Sequence, residues 1–318
     1  GNMNTANYVF KYCVESGPDR TPPMVVTTDL KNGMPVAFNK SELDLKTYIN
    51  EPSECKWSHR DQSYEKMENQ MSCSTSITEM NAQALYECST TLEGIKSRKT
   101  NEYYIRCKDQ PHAAEEDRNL NKESYEFVVE GTRPLAITST DPEGIVKDST
   151  ESVRVVLEAE TQGGYSEGKS QCYFKESEEP EQSYVLFAET SSYEHKQELY
   201  LEDEEYEYDI RCVDLGGNAD NKTVSFEVES DSSAPKVSRV YKEENYLKLV
   251  TNENASCVYS SSDCEYLFED GTEIQERSGD KHFTDWVKEN FYIKCEDGYG
   301  NRPNPNECSI IVKPSDNY

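Results

Sequence analysis

Three stretches decide the fold: Tyr103–Asp109 reads YYIRCKD, Tyr208–Asp214 reads YDIRCVD, and Phe291–Asp297 reads FYIKCED. Each holds an aromatic, an Ile, a basic residue, a Cys and, two places on, an Asp. Side chains alternate between the faces of a strand, so Arg106, Arg211 and Lys294 share the face opposite the Ile and the Cys. Cross-strand ion pairs with nearby Glu residues are expected there, each worth under ~1 kcal/mol when exposed. The cysteines stand 105 and 83 residues apart, about one small domain each. The chain reads as a tandem array.

The same order recurs around each phrase. A Pro-containing entry (Pro22-Pro23, Arg133-Pro134, Ala234-Pro235) leads to a strand, a polar turn and a second strand with an earlier Cys. Those second strands read Glu54-Cys55-Lys56-Trp57, Gln171-Cys172-Tyr173 and Ser256-Cys257-Val258-Tyr259. A turn and a last strand close each unit. Period-two runs at Tyr125–Val129, Ser152–Glu158, Thr223–Val228, Tyr246–Val250 and Ser309–Val312 read as strands. Asn32-Gly33, Gly163-Gly164, Gly216-Gly217-Asn218, Asp270-Gly271 and Gly300-Asn301 read as turns. Asn81–Glu87 offers one or two turns of helix. The pattern predicts an all-β chain of three tandem Ig-like β-sandwich domains, with the two cysteine strands of each in the C and F positions. The expected division is an N-terminal strand and linker over 1–22, then domains over 23–134, 135–232 and 233–318. Asn7–Val14 (NYVFKYCV) reads as a strand without a hairpin partner, either the end of a preceding repeat or a strand added to a sheet edge.

Eleven cysteines in recurring positions point to an oxidising compartment. Within the units, Cys55/Cys107, Cys172/Cys212 and Cys257/Cys295 are 52, 40 and 38 residues apart and are expected disulfides. Closing loops of this size stabilises by roughly 3–4 kcal/mol in the chain-entropy model. Cys73 and Cys88 lie in an insertion of the first domain and are expected to pair and pin it. In the third domain, Cys264–Cys308 competes with a rival arrangement of Cys257–Cys264 and Cys295–Cys308. Cys13 is left over, for a partner upstream or on another chain.

The formal charge is -29, from 62 acidic and 33 basic residues. Such a chain repels phosphate backbones and anionic lipid, which argues against nucleic acid as a partner. Of the basic residues 22 are Lys, a residue that extreme halophiles tend to shed. No stretch approaches the apolar length of a membrane span, and no signal peptide opens the sequence. Asn39, Asn221 and Asn254 head N-glycosylation sequons. Four scattered histidines (His59, His112, His195, His282) lack metal-ligand spacing, and no nucleophile or phosphate-binding motif occurs. No enzymatic activity is expected.

The phrases YYIRCKD, CVDLGGN and CEDGYGN resemble the Ig-like or fibronectin-III-like repeats of prokaryotic cell-surface proteins, those of DPANN archaea especially. The segment Tyr12–Pro23 (YCVESGPDRTPP) is similar to the linkers between such repeats. The resemblance covers nearly the whole chain and implies an extracellular, disulfide-bonded stalk, adhesin or surface-layer component. The first unit departs from it: Asp109 is followed by Gln-Pro-His instead of Gly-Asn, so its loop is longer.

Asp109, Asp214 and Asp297 are candidate calcium ligands, because loops rich in Asp and Asn supply hard oxygens. The competing role is an Asx cap on the turn that follows. The acidic runs Glu176–Glu181 and Glu202–Glu205 read as solvated loops. Two functions remain open: a surface-layer, stalk or filament subunit that associates with itself or with other cell-surface proteins, and an adhesin or receptor ectodomain. The latter would hold a glycan or a protein on its loops, a reading favoured by the insertion around Cys73 and Cys88 and by the long Gln110–Lys122 loop.

Overall fold

The computed structural model describes residues 19–314; the expected strand at Asn7–Val14 and Cys13 lie outside them. Apart from three-residue 3-10 turns, every regular element among the described residues is a β-strand. Alternation is the cause. Val153–Gly163 buries Val153, Val155, Leu157, Ala159 and Thr161 and exposes Arg154 and Glu160 between them. A fully buried aliphatic side chain of this kind contributes about 1.5–3 kcal/mol.

The chain divides into two compact units. Among the described residues, one holds 19–135 with the loop segments 163–166 and 214–218, and the other holds the rest.

In the first unit, one sheet orders Val25–Thr28, Glu42–Ile49, Tyr86–Glu93 and Ser72–Cys73. The facing sheet orders Met34–Val36, Tyr125–Gly131, Thr100–Asp109, Ser53–Ser58 and Asn69–Gln70. Leu45, Ile49, Leu92, Tyr103, Ile105, Phe127 and Val129 pack between the two. Met34–Val36 runs parallel to Val129–Gly131, so the entering chain passes from one sheet to the other.

The strand plan recurs over Leu135–Ser230. A three-stranded sheet of Leu135–Asp141, Val153–Gly163 and Glu194–Leu201 accompanies a five-stranded one centred on Glu204–Asp214. Gly144–Asp148 makes the same parallel pairing, here with Phe226–Ser230. Beyond Val237 the strands form one seven-stranded sheet. Its order is Val237–Glu243, Tyr246–Thr251, Lys281–Asp285, Thr272–Ser278, Ala255–Ser260, Phe291–Asp297 and Ile310–Val312. Thr272–Ser278 pairs with Lys281–Asp285 on one side and Ala255–Ser260 on the other, so this central strand joins the two halves of the sheet.

Five disulfides join Cys55–Cys107, Cys73–Cys88, Cys172–Cys212, Cys257–Cys295 and Cys264–Cys308. Cys55 stands directly across from Cys107, and Cys257 from Cys295, each pair with Cα atoms 4.1 Å apart. That is the narrow, non-hydrogen-bonded kind of antiparallel pair, so these bonds link neighbouring strands of one sheet.

Cys73 and Cys88 pair, and their bond joins Ser72–Cys73 to Tyr86–Glu93, which are paired strands of the sandwich. One feature differs from the sequence reading. The helical turn expected at Asn81–Glu87 is absent. The Asn81 Oδ1 accepts from the Gln83 and Leu85 backbone N–H groups, and this Asx turn delivers the chain into the strand at Tyr86. A side chain that satisfies local amides offers the backbone an alternative to helix.

Candidate functional site

The repeated phrase points inward at every second residue. Tyr103, Ile105, Cys107 and Asp109 are all buried, and so are their counterparts Tyr208, Ile210, Cys212, Asp214 and Phe291, Ile293, Cys295, Asp297. The Asp is therefore the last core-facing residue of its strand, 0%, 6% and 7% exposed in the three copies. A carboxylate cut off from water needs hydrogen-bond donors.

In each case an Asn supplies them. Asn218 donates its backbone N–H to Asp214 Oδ1 and its side-chain Nδ2 to Oδ2, both at 2.8 Å. Asn301 does the same to Asp297, at 2.9 Å twice. Asn119 does it to Asp109, with Nδ2 2.8 Å from Oδ2, although it lies ten residues on instead of four. Arg118 braces this longer loop, its Nε donating to the Asp109 carbonyl at 2.7 Å and its Nη2 meeting Glu54 at 2.8 Å.

The same Asn also holds the segment that enters its repeat. Asn119 Nδ2 donates to the Asp19 carbonyl at 3.2 Å, and Asn301 Nδ2 to the Asp231 carbonyl. Asn218 Nδ2 donates to Thr132 Oγ1 at 2.8 Å, while its Oδ1 accepts from the Phe38 N–H at 2.7 Å. Thus the phrase ends in a clamp on the Pro-marked linker.

The calcium candidates part company here. Asp109 lies with Asp19 and Glu51, and Asp297 with Asp231 and Glu253; within each triad the carboxylate oxygens are all within 4.8 Å of one another. Asp214 belongs to no such triad among the described residues. Its Oδ2 accepts from the Tyr165 N–H at 2.6 Å as well as from Asn218. Gly164, at φ +59°, makes room for it: a Cβ there would lie 2.3 Å from the same oxygen. In the first triad, burial and then the neighbouring Asp19 and Asp109 push the Glu51 carboxyl up to about 7.

The basic residues of the phrase have separate fates. Arg106 reaches Asp61 at 3.3 Å, and Arg211 lies 3.9 Å from Glu181. Lys294 is buried and donates to the carbonyls of Tyr266 and Pro305, at 2.8 and 2.6 Å, with its ammonium over the Tyr266 ring. The sequon residues Asn39, Asn221 and Asn254 are all exposed. His195 is buried between Thr190, Thr161 and Ser170, and burial lowers it to about 4, so it is a neutral packing residue.

Sequence reasoning missed three groups. Asn119 escaped because its spacing differs from that of Asn218 and Asn301. Glu51 and Glu253 carried no signal among 62 acidic residues. The third is a turn of Lys96, Arg98 and Lys99. Lys96 and Lys99, with His59, Thr100, Asn101 and Glu102, line an open cleft of about 530 Å³.

No protein-family model and no curated protein sequence matches the chain. Among solved structures it is similar to the titin I-band fragment I67–I69 (13% identity, 89% of this chain and 96% of that one, TM-score 0.38). It is also similar to the chicken CNTN1 FN1–FN3 domains (10%, 92% and 97%, TM-score 0.41). The fibronectin(III)-like modules of Clostridium thermocellum CbhA align at 11% identity over 70% of this chain and 99% of theirs, TM-score 0.37. The facing sheets and alternating strands described above make this an all-β sandwich fold.

Replacing any of the three clamp Asn residues by Ala takes the side-chain donor from one oxygen of a buried carboxylate, at a cost of about 1–3 kcal/mol. Asn119→Ala, Asn218→Ala and Asn301→Ala should each destabilise by that amount in urea titrations. A silent Asn119→Ala would break the equivalence drawn across the different spacings. The Glu51 proton gives a second expectation. The folded chain holds it up to about 7, whereas an ordinary Glu releases it near 4.5. Its contribution to stability is therefore full at low pH and is lost as pH climbs through that interval. With chelator present, the first unit should melt at lower temperature at pH 8 than at pH 5 by this contribution, and Glu51→Gln should remove it.

Proposed function

We propose that this chain is an extracellular structural component of a cell surface, a surface-layer, stalk or filament subunit, acting through self-association. Five disulfides support an oxidising compartment. No helix among the described residues is long and apolar enough to cross a membrane.

The observation that carries the reading is one of charge. The chain has a formal charge of -29, yet Lys96, Arg98 and Lys99 crowd onto the exposed turn between Tyr86–Glu93 and Thr100–Asp109. Among the described residues, none of the three meets a carboxylate at ion-pair distance. Arg98 instead lies over the Phe38 ring. The corresponding turn between Glu194–Leu201 and Glu204–Asp214 is acidic, with Glu202 and Asp203 in it and Glu204 and Glu205 opening the strand that follows. The basic turn of one copy complements the acidic turn of another, and electrostatic complementarity sets register and encounter rate more than raw affinity.

Such contacts weaken as salt shortens the screening length from about 10 Å at ~0.1 M to about 3 Å at ~1 M. Light scattering after size exclusion should show assemblies at low salt and monomer at high salt. The double variant Lys96→Glu/Lys99→Glu should be monomeric at both. Wild-type monomer in every buffer overturns self-association. The adhesin reading has one observation of its own, the cleft lined by His59, Lys96 and Lys99, whose chemistry suits an acidic glycan. Saturable, salt-sensitive glycan binding by a monomer would put it first.

Calcium, within this reading, has two seats: Asp19, Glu51 and Asp109, and Asp231, Glu253 and Asp297. A divalent cation there would offset the repulsion that raises Glu51. Added calcium should then raise the melting temperature at pH 8, and Glu51→Gln with Glu253→Gln should abolish the response. An unchanged wild-type melting temperature would discard both seats.

A further inference from the structure

The disulfides Cys55–Cys107 and Cys73–Cys88 belong to opposite sheets of the first sandwich and meet in its core. Cys88 Sγ lies 3.5 Å from Cys55 Sγ, and neither residue is more than 1% exposed. Cys73 is only partly buried, so it is the sulfur of that bond which a small thiol reaches first. A separation near 3–3.5 Å between reacting atoms converts a bimolecular attack into an intramolecular one of high effective molarity. The corresponding core position in the later repeats holds no sulfur. Cys88 faces Thr47 across its strand pair, His195 faces Ala159 and His282 faces Leu249, and the histidines stand where Cys88 stands.

We propose that the first sandwich contains a thiol–disulfide exchange relay, in which reduction of Cys73–Cys88 releases Cys88 to attack Cys55 and expel Cys107. The external reductant is a low-molecular-weight thiol. Its thiolate attacks Cys73 Sγ, forms a mixed disulfide there and releases Cys88 as thiolate. A second equivalent of the thiol resolves the mixed disulfide, leaving the Cys73 thiol and the oxidised reductant. These steps together are a two-electron reduction. The relay step itself is electron-neutral: the Cys88–Cys55 bond forms, the Cys55–Cys107 bond breaks, and Cys107 leaves as a thiolate that takes up a proton from solvent or buffer. The product carries one bond, Cys55–Cys88, which ties Ser53–Ser58 to Tyr86–Glu93 and so joins the two sheets. The starting bonds each lie within one sheet. Reduction at a partly buried site thus exchanges two intrasheet staples for one intersheet staple, and a redox signal becomes a change in how the core is tied.

The test uses the full chain with Cys13→Ser, to remove the one cysteine outside the five bonds. The folded protein is treated with limiting glutathione, quenched in acid, alkylated and mapped by peptide mass spectrometry. The expected product is a Cys55–Cys88 cross-link with Cys73 and Cys107 alkylated, while Cys172–Cys212 and Cys257–Cys295 stay intact. Alkylation of Cys73 and Cys88 with Cys55–Cys107 retained overturns the relay. Reshuffling of the later disulfides under the same conditions overturns it too, because the exchange would then follow from general unfolding. A second measurement needs no reductant. In Cys73→Ser the lone Cys88 thiol should equilibrate with the bond at pH 8, so that alkylation divides between Cys88 and Cys107. Alkylation confined to Cys88 sinks the proposal.

Discussion

A carboxylate that ends a core-facing strand must be given donors, and much of the architecture follows from how the chain provides them. Asp109, Asp214 and Asp297 are buried because they continue the same two-residue period that buries the aromatic, the Ile and the Cys. Burying them without partners would cost several kcal/mol. The chain answers by turning back at once and presenting an Asn, whose amide and side chain satisfy both oxygens. That return sets where the last strand begins. The remaining valences of the Asn then reach the entering linker, so one polar pair fixes the end of a strand, the closure of a loop and the start of a repeat.

The core half of this arrangement was legible in the sequence. The spacing of Tyr103, Ile105, Cys107 and Asp109 is that of one strand face, and the Pro-marked entries frame each repeat. The closing half was legible only where Asn218 and Asn301 follow Gly at fixed distance. Asn119 was not, because a hydrogen bond depends on where a loop returns and a sequence shows only how long it is. The acidic triads were hidden for a related reason: Asp19, Glu51 and Asp109 are far apart along the chain and lie among dozens of similar residues. At Asn81–Glu87 one or two turns of helix were expected, and the Asn81 side chain holds the local amides in an Asx turn instead.

The equivalence of Cys88, His195 and His282 needs strand register across three sheets, which no linear pattern displays. The position sits over the strand-pair disulfide in the first two repeats, and two answers fill it. His195 is held by three hydroxyls, whereas His282 keeps one ring nitrogen without a partner. The first repeat places a second disulfide there. The shared backbone frame thus tolerates different core chemistry at one point while its aromatic, Ile, Cys and Asp positions stay alike.

The clamp also separates loop length from loop closure. Four residues carry the chain from Asp214 to Asn218 and from Asp297 to Asn301, and ten carry it from Asp109 to Asn119, yet the three hydrogen-bonded ends are alike. Whatever lies between Asp and Asn is free to lengthen or diverge without disturbing the sandwich beneath it. Each repeat therefore carries an evolvable slot at a fixed address, where new sequence can be tried at little risk to folding. The first repeat has already made use of its own.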